Sequence, residues 1–246
     1  SAKGHSRMEQ RKFGNTGLAV SRLTFGCGAV GGLMTKGDAA DQDRAIGWAR
    51  DNGINFFDTA ASYGNGVSEE NLGRALNGNS DGLVISTKVG LNNDDLSDVY
   101  GAITRSLDAS LARLRLDHVD IFQLHNTLGR TDFRGTLTID QIMDAVVPAF
   151  DKLRDTGKVR FLGFTAKGEA DDVHKLVSCG VFTARRCFII CCPSAGEPMP
   201  LIILQMIINC FWKPPRIMAL GRLEFAFWLV APCLAVRRVT RLACVM

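Results

Sequence analysis

No stretch of this chain reaches the roughly 18 consecutive apolar residues that a helical membrane span requires. The longest apolar runs, Leu201–Leu204 with Met206–Ile208 and Phe225–Val236, stop short of it. The segment SAKGHSR before Met8 has no apolar core, so residues 1–10 read as a tag remnant, upstream translation or a flexible end, not as a signal peptide or anchor. No CxxC pair occurs among the eight cysteines, and no metal-ligand spacing is present. Without a secretory signal, a disulfide framework or structural zinc site is not expected, and a cytoplasmic location is. Acidic residues are scarce in one region only. Residues 185–246 hold two of the 25 acids and eight of the 29 Lys+Arg, a balance of +6, whereas residues 1–184 hold 23 acids against 21 bases, a balance of −2. The net charge of +4 therefore belongs to the tail and does not indicate nucleic-acid binding. Glycine and cysteine divide at the same place. Only Gly196 and Gly221 of 25 glycines follow Ala184, while six cysteines do, against Cys27 and Cys179 before it. What is present, 246 residues with 46% hydrophobic and 22% charged, suits one large globular domain with a substantial core.

The chain is organised around Gly53–Leu76, GINFFDTAASYGNGVSEENLGRAL. An apolar burst ends abruptly in Asp58-Thr59, a Gly-rich loop carries Tyr63, and a helix starts at Ser68-Glu69-Glu70. Upstream, residues 11–23 read as a hairpin turning at Asn15-Thr16-Gly17. Strands are expected at 23–28, 55–59, 83–89, 118–125 and 159–165, and helices at 38–52, 68–76, 97–116, 139–156 and 169–178. This strand–helix beat, repeated five times, implies a parallel sheet covered by helices. Residue pattern alone leaves open an eight-unit barrel, which needs roughly 250 residues, and an open doubly wound sheet. After Ala184 the beat stops.

Gly26-x-Gly28-x-x-Gly31 follows a strand and partly matches the dinucleotide fingerprint, but Gly32 to Gly37 intervene before any helical pattern, which favours a glycine-permitted turn. A Rossmann reading would need Asp58 to bind ribose. Asp58 and Tyr63, Lys88, and His125 fall at or just past the ends of strands two, three and four. In a parallel α/β structure those ends form one face, where sites are built. Each residue alone has a bland explanation, Lys88 as a surface lysine and His125 as a core histidine; four on one rim do not share one. The set suits protonation of an oxygen that gains charge. A phenol with a pKa of about 10 is a poor acid at neutral pH. A nearby ammonium stabilises its phenolate, and a carboxylate holds that ammonium. An imidazole can hydrogen-bond the substrate oxygen. The matching reaction is hydride transfer to a carbonyl from a nicotinamide.

Asp58-Thr59-Ala60-x-x-Tyr63-Gly64 with Ser68-Glu69 and Leu72-Gly73, Thr87-Lys88, Asp120-x-x-x-Leu124-His125, and Gly157-Lys158-Val159-Arg160-x-x-Gly163 together resemble the aldo-keto reductase family over residues 11–184. The resemblance implies a (β/α)8 TIM barrel preceded by the hairpin, NADPH as cofactor, and a small carbonyl or sugar-like substrate. It implies Tyr63 as general acid, Lys88 and Asp58 tuning it, and His125 orienting the carbonyl. Gly28-Ala29 would line the pocket, and Thr165-Ala166 stands where the family often has Ser-Asn on the carboxamide. Together with Asp58, these are the expected cofactor-side positions.

The tail departs from this pattern, so the expected barrel is incomplete, with five or six strands recognisable. One permitted codon choice for Ala184–Cys191 gives, in a shifted frame, Ala-Gln-Val-Phe-Tyr-Asn-Leu, which looks like the family's sixth strand; Arg216–Ala235 permits a similar shifted reading. The expectation is that much of 185–246 is read out of frame, with weakened or lost NADPH binding. The alternative is a genuine Cys- and Arg-rich tail that binds a partner or a membrane surface.

Overall fold

The computed structural model describes residues 8–14, 16–28, 32–130 and 135–178, with two short strand segments at 189–190 and 227–228. An antiparallel hairpin comes first, β1 (Gln10–Lys12) against β2 (Ala19–Ser21), with Gln10 opposite Ser21. Phe13 N–H donates to Leu18 O at 2.8 Å, and Gly17 takes φ 79°, a left-handed backbone that only glycine adopts without strain. Asn15 of the expected turn lies outside the described residues. Asn55 fastens the hairpin to the sheet: its Oδ1 accepts from Ser21 N at 2.7 Å and its Nδ2 donates to Ala19 O at 2.9 Å.

Strands β3 (Thr24–Gly26), β4 (Phe56–Asp58), β5 (Val84–Val89) and β6 (Val119–Leu124) follow. A short parallel pair, β7 (Thr127–Leu128) and β8 (Thr136–Leu137), precedes β9 (Val159–Thr165), β10 (Ile189–Ile190) and β11 (Phe227–Trp228). The main sheet runs β10-β9-β6-β5-β4-β3-β11. From β3 to β10 all six strands are parallel and lie side by side in chain order. A doubly wound sheet reverses its order at a switch point; this one winds in a single direction, as a barrel does. β11 lies antiparallel against the outer edge of β3, Phe227 opposite Phe25.

Helices α1 (Leu33–Lys36), α2 (Ala39–Asp51), α3 (Val67–Leu76), α4 (Val99–Leu114), α5 (Ile139–Gln141), α6 (Val147–Arg154) and α7 (Ala170–Ser178) connect the strands. Their starts obey local chemistry. Asp38 caps α2 by accepting from Asp41 N at 2.9 Å, and Asp98 caps α4 by accepting from Gly101 N at 2.9 Å. The helix expected over 139–156 is a composite, in which α5 and α6 are joined by a π-helical segment at Ile142–Val146. Pro148 sits in the first turn of α6 and has no N–H to donate back. A wider turn there removes that mismatch. The one-turn α1 and the β7–β8 pair lie within stretches that carry no helix or strand pattern in the sequence.

Two-residue alternation divides each strand between two faces. Phe57, Ile85, Phe122, Leu162 and Phe164 face the helices and pack with Ile46, Ala49, Leu72, Ile103 and Leu107. On the opposite face Phe56, Val84 and Ile121 meet Phe13, Leu18 and Val20 of the hairpin, which plugs the amino ends of the strands. Two and four residues further along, this second face turns polar while staying buried: Asp58, Ser86, Lys88, Gln123 and Thr165. The hairpin closes one end of the interior, and the chemistry lies towards the other.

Candidate active site

Strands β4 and β5 carry a buried ion pair at their carboxyl ends. Lys88 Nζ lies 2.6 Å from Asp58 Oδ2, and the two side chains are 0% and 4% exposed. The same ammonium donates to Thr59 O at 2.7 Å and to Tyr63 Oη at 3.3 Å. Its three donors thus meet three acceptors. Burial alone would lower the Lys88 pKa; the Asp58 carboxylate and then the Tyr63 oxygen outweigh it and leave the value raised, so the ammonium stays charged. Asp58 Oδ1 is buried and has no hydrogen-bond partner among the described residues.

Tyr63 reaches this pair from the loop between β4 and α3. Gly64, Asn65 and Gly66 all take positive φ (61°, 54° and 94°), which curls the loop back so that Ser68 N–H donates to Tyr63 O at 3.2 Å. Side-chain bonds from the first turn of α3 lock the surround. Ser68 Oγ donates to Cys27 O at 2.7 Å and lies 2.9 Å from Thr59 Oγ1, tying the ends of β3 and β4 together. Glu69, fully buried, binds the Thr87 hydroxyl on β5 and Arg113 Nε at 2.7 Å on α4. Gly28 flanks the phenol: a Cβ there would sit 3.6 Å from Tyr63 Cε2 and Cζ, so the loop after β3 passes against the ring.

His125 follows β6, its N–H donating to Val89 O at 2.7 Å. Its ring stands edge-on to Tyr63, centroids 5.7 Å apart at 83°, and its Nδ1 lies 3.2 Å from Ser62 Oγ. Burial, then the positive charges of Lys88 and Lys167, hold its pKa down at about 4, so the imidazole is neutral at pH 7. The pairing of Leu124 with Phe164 brings Thr165 alongside His125. The Thr165 hydroxyl is buried and without a hydrogen-bond partner among the described residues. Ala166 packs at the margin of the helix-side core and offers no polar side-chain atom.

Asp58, Tyr63, Lys88, His125 and Gly28 therefore converge, with Thr165 at the same end of the sheet; Ala29 lies outside the described residues. Residue pattern did not single out Ser62 or Asn126. The Asn126 amide accepts from Leu91 N at 2.9 Å and donates to Leu91 O at 2.7 Å, continuing the β5–β6 pairing beyond the end of β5. The Asp120 and Arg160 of the sequence motifs serve a different end of the structure. They pair with each other across β6 and β9, and Asp120 Oδ2 also accepts from Ile85 N at 2.9 Å. Among the described residues no cluster of three or more His, Cys, Asp or Glu could hold a metal ion, and no helix is long and apolar enough to cross a membrane.

The model of the Aldo/keto reductase family matches residues 22–219. The chain belongs to that family. The match runs past Ala184, where the motif resemblance ends, into the tail. L-galactose dehydrogenase of Arabidopsis thaliana is 38% identical over 167 residues, 65% of this chain and 49% of that protein. Pyridoxal 4-dehydrogenase of Microbacterium luteolum is 32% identical over 151 residues, covering 50% and 44%. The chain spans about half the length of the curated relatives it matches. Among solved structures, glycerol dehydrogenase of Gluconobacter oxydans matches with TM-score 0.54 at 27% identity, covering 73% of this chain and 54% of that one. An aldo/keto reductase of Klebsiella pneumoniae in complex with NADP and acetate matches with TM-score 0.53 at 25% identity, covering 72% and 54%. The holo form of a Bacillus halodurans aldo-keto reductase, TM-score 0.58 at 24% identity over 89% and 74%, speaks for the fold alone. The fold class is thus the aldo/keto reductase (β/α)8 barrel, of which β3, β4, β5, β6, β9 and β10 run in order.

Proposed function

We propose that the chain reduces a small aldehyde or ketone, including sugar-like carbonyls, to the alcohol, or catalyses the reverse oxidation, with Tyr63 as proton donor and NADPH as cofactor. The observation that carries this reading is the Lys88 ammonium bridging Asp58 Oδ2 at 2.6 Å and Tyr63 Oη at 3.3 Å. As the Tyr63 O–H bond breaks and its proton passes to the carbonyl oxygen, the adjacent ammonium stabilises the phenolate left behind. Asp58 keeps that ammonium in place and charged. A neutral His125 donates a hydrogen bond to the same carbonyl oxygen without adding a positive charge. When bound, a reduced nicotinamide supplies the hydride to the carbonyl carbon and is itself oxidised. Thr165 fits the nicotinamide end, because its buried hydroxyl has no partner among the described residues and could take an amide group. Gly28 fits as the smooth floor beside Tyr63, with Ala29 and Ala166 assigned to the same side. Two relatives, acting on L-galactose and glycerol by name, motivate a polyhydroxylated or sugar-like substrate. A cytoplasmic location belongs to the same reading.

The test is NADPH-dependent reduction of 4-nitrobenzaldehyde and of an aldose by the full chain and by Tyr63→Phe. Turnover abolished in the variant supports the reading; equal turnover in both overturns it.

A second reading is that residues 11–184 are a barrel portion with relic site residues, and that 185–246 is an out-of-frame tail in place of the last units. The antiparallel placement of β11 against β3 favours it, because a barrel of eight parallel units closes with a parallel neighbour there. Sequencing the coding DNA tests it: absence of single-base indels that restore the family-like readings would sink the idea.

A further inference from the structure

The loop that delivers Tyr63 also touches the histidine. Ser62 Oγ lies 3.2 Å from His125 Nδ1, the side-chain hydrogen bond given to that ring among the described residues. Ser62 itself is exposed, immediately precedes Tyr63, and stands 63 positions from His125 in the chain. Among the described residues, the other groups around the imidazole do not fix its proton. Tyr63 meets it ring edge to ring face, and the Lys88 and Lys167 ammonium groups act through charge.

We infer that Ser62 is a positioning residue: its hydroxyl donates to Nδ1 of His125 and so keeps the single ring proton on Nε2, where it can be given as a hydrogen bond to the carbonyl oxygen. This rests on the carbonyl-reductase reading above. A neutral imidazole carries one N–H, and the nitrogen that carries it is chosen by what the other nitrogen is bonded to. Were the proton on Nδ1, the ring would donate to Ser62 and present a lone pair to the substrate oxygen, which repels it. Loss of the Ser62 hydroxyl removes that choice and also frees the ring to rotate. Because Ser62 and Tyr63 are consecutive, the same loop conformation that aims the phenol sets the imidazole, coupling the two donors.

The experiment compares the full chain, Ser62→Ala and Ser62→Thr, each carrying ¹⁵N-histidine, at pH 7. Long-range ¹H–¹⁵N spectra distinguish a protonated ring nitrogen from a bare one, with the His125 signals identified by their absence in His125→Gln. The expected wild-type pattern is a protonated Nε2 and a bare, hydrogen-bonded Nδ1. In Ser62→Ala, Nδ1 should shift towards a free bare nitrogen and the proton should spread over both positions; Ser62→Thr should restore the wild-type pattern. In NADPH-dependent aldehyde reduction, Ser62→Ala should lower kcat by roughly tenfold, a part of the about 100-fold or more that a positioned proton-transfer group supplies. The KM for NADPH should stay unchanged, and Thr should rescue kcat. A proton on Nδ1 in the wild type, or ring nitrogens unmoved in Ser62→Ala, overturns the assignment. Absence of turnover in every form, wild type included, overturns the carbonyl-reductase reading instead, while the spectra still decide the role of Ser62.

Discussion

Lys88 Nζ and Asp58 Oδ2 stand 2.6 Å apart at neighbouring strand ends, and neither side chain has meaningful access to water. A buried ion pair of this kind is weak evidence for net stability, yet breaking it from one side strands the remaining charge. Lys88→Met should therefore lose about 3–5 kcal/mol of unfolding free energy. Asp58→Asn in the same chain should recover part of that loss, because the orphaned carboxylate is then gone. Urea unfolding of the two single variants and the double variant measures it, and a strictly additive double variant would contradict the coupling.

Tyr63 separates chemistry from folding more cleanly. Its hydroxyl sits 3.3 Å from Lys88 Nζ in a half-buried setting, and the ring packs edge-on against His125. Tyr63→Phe retains the ring and removes only the hydroxyl, with its proton and its contact to Lys88. Carbonyl reduction should fall by about 100- to 10,000-fold, while the urea midpoint moves little. A variant that keeps a tenth or more of wild-type turnover would remove Tyr63 from the role of acid.

The parts of this site that were legible in the sequence are those fixed by strand order. Asp58, Lys88 and His125 fall at or near the ends of their expected strands, and parallel strands put such ends on one rim. Asp38 announced its helix because a cap is a local device, whereas the helix expected from Ser97 begins after its cap Asp98, which apolar periodicity does not mark. What could not be read depends on partners distant in the chain. Asn126 looks like any polar residue after a strand until Leu91, 35 residues away, is placed beside it. Ser62 is equally silent until His125 arrives. The π-helical segment at Ile142–Val146 answers Pro148, whose consequence for the preceding turn has no signature in apolar periodicity. Beyond Ala184 the reading failed for a different reason, the loss of the glycine and acidic punctuation that marks turns and helix starts.

His125 makes stability depend on pH in a window that its folded-state pKa of about 4 defines. An unfolded histidine titrates near 6.5. Between those values the unfolded chain binds a proton that the folded chain refuses, so stability falls as pH is lowered from 6.5 towards 4. From pH 6.5 to pH 5 the contribution is at most about 2 kcal/mol. His125→Gln should flatten the profile by that amount relative to wild type, in urea unfolding at the two pH values. Parallel profiles for the two proteins would mean that the imidazole is not desolvated as described.

Two helical glycines should respond in opposite directions to alanine. Gly73 on α3 presses on the end of α4, where a Cβ would come within 2.3 Å of Arg113 O and 2.7 Å of Leu114 C. Both contacts are backbone, so neither can swing away. Gly73→Ala should cost about 1–3 kcal/mol or more and should displace the Glu69 anchor beside it. Gly47 on α2 is exposed and has open space at its Cβ position. Gly47→Ala should stabilise by about 0.4–1 kcal/mol through helix propensity and a less free unfolded chain. Thermal unfolding of both variants checks the pair, and a shift of the same sign in both would refute the packing argument.

The tail offers a test that acts on binding rather than on folding. Residues 185–246 combine eight Lys+Arg with two acids and six of the chain's eight cysteines. The family match nevertheless continues to residue 219, as expected if family-like and frame-shifted stretches alternate there. The edge of β3 is filled by an antiparallel segment, and β10 pairs with β9 over only two residues, Ile189 with Phe164 and Ile190 with Thr165. On the proposed reading, the cofactor-side positions named above belong to β4, β9 and the residues after β3 and β9, and the rest of a dinucleotide would have to be held by residues 185–246. A chain expressed with the shifted readings restored from Ala184 onwards should bind NADPH more tightly than the chain as it stands, by about tenfold or more, or at least about 1.4 kcal/mol. Titration of NADPH fluorescence against both proteins measures the difference. Equal dissociation constants would show that the tail as it stands already supplies the cofactor contacts, and the out-of-frame reading of 185–246 would have to be given up.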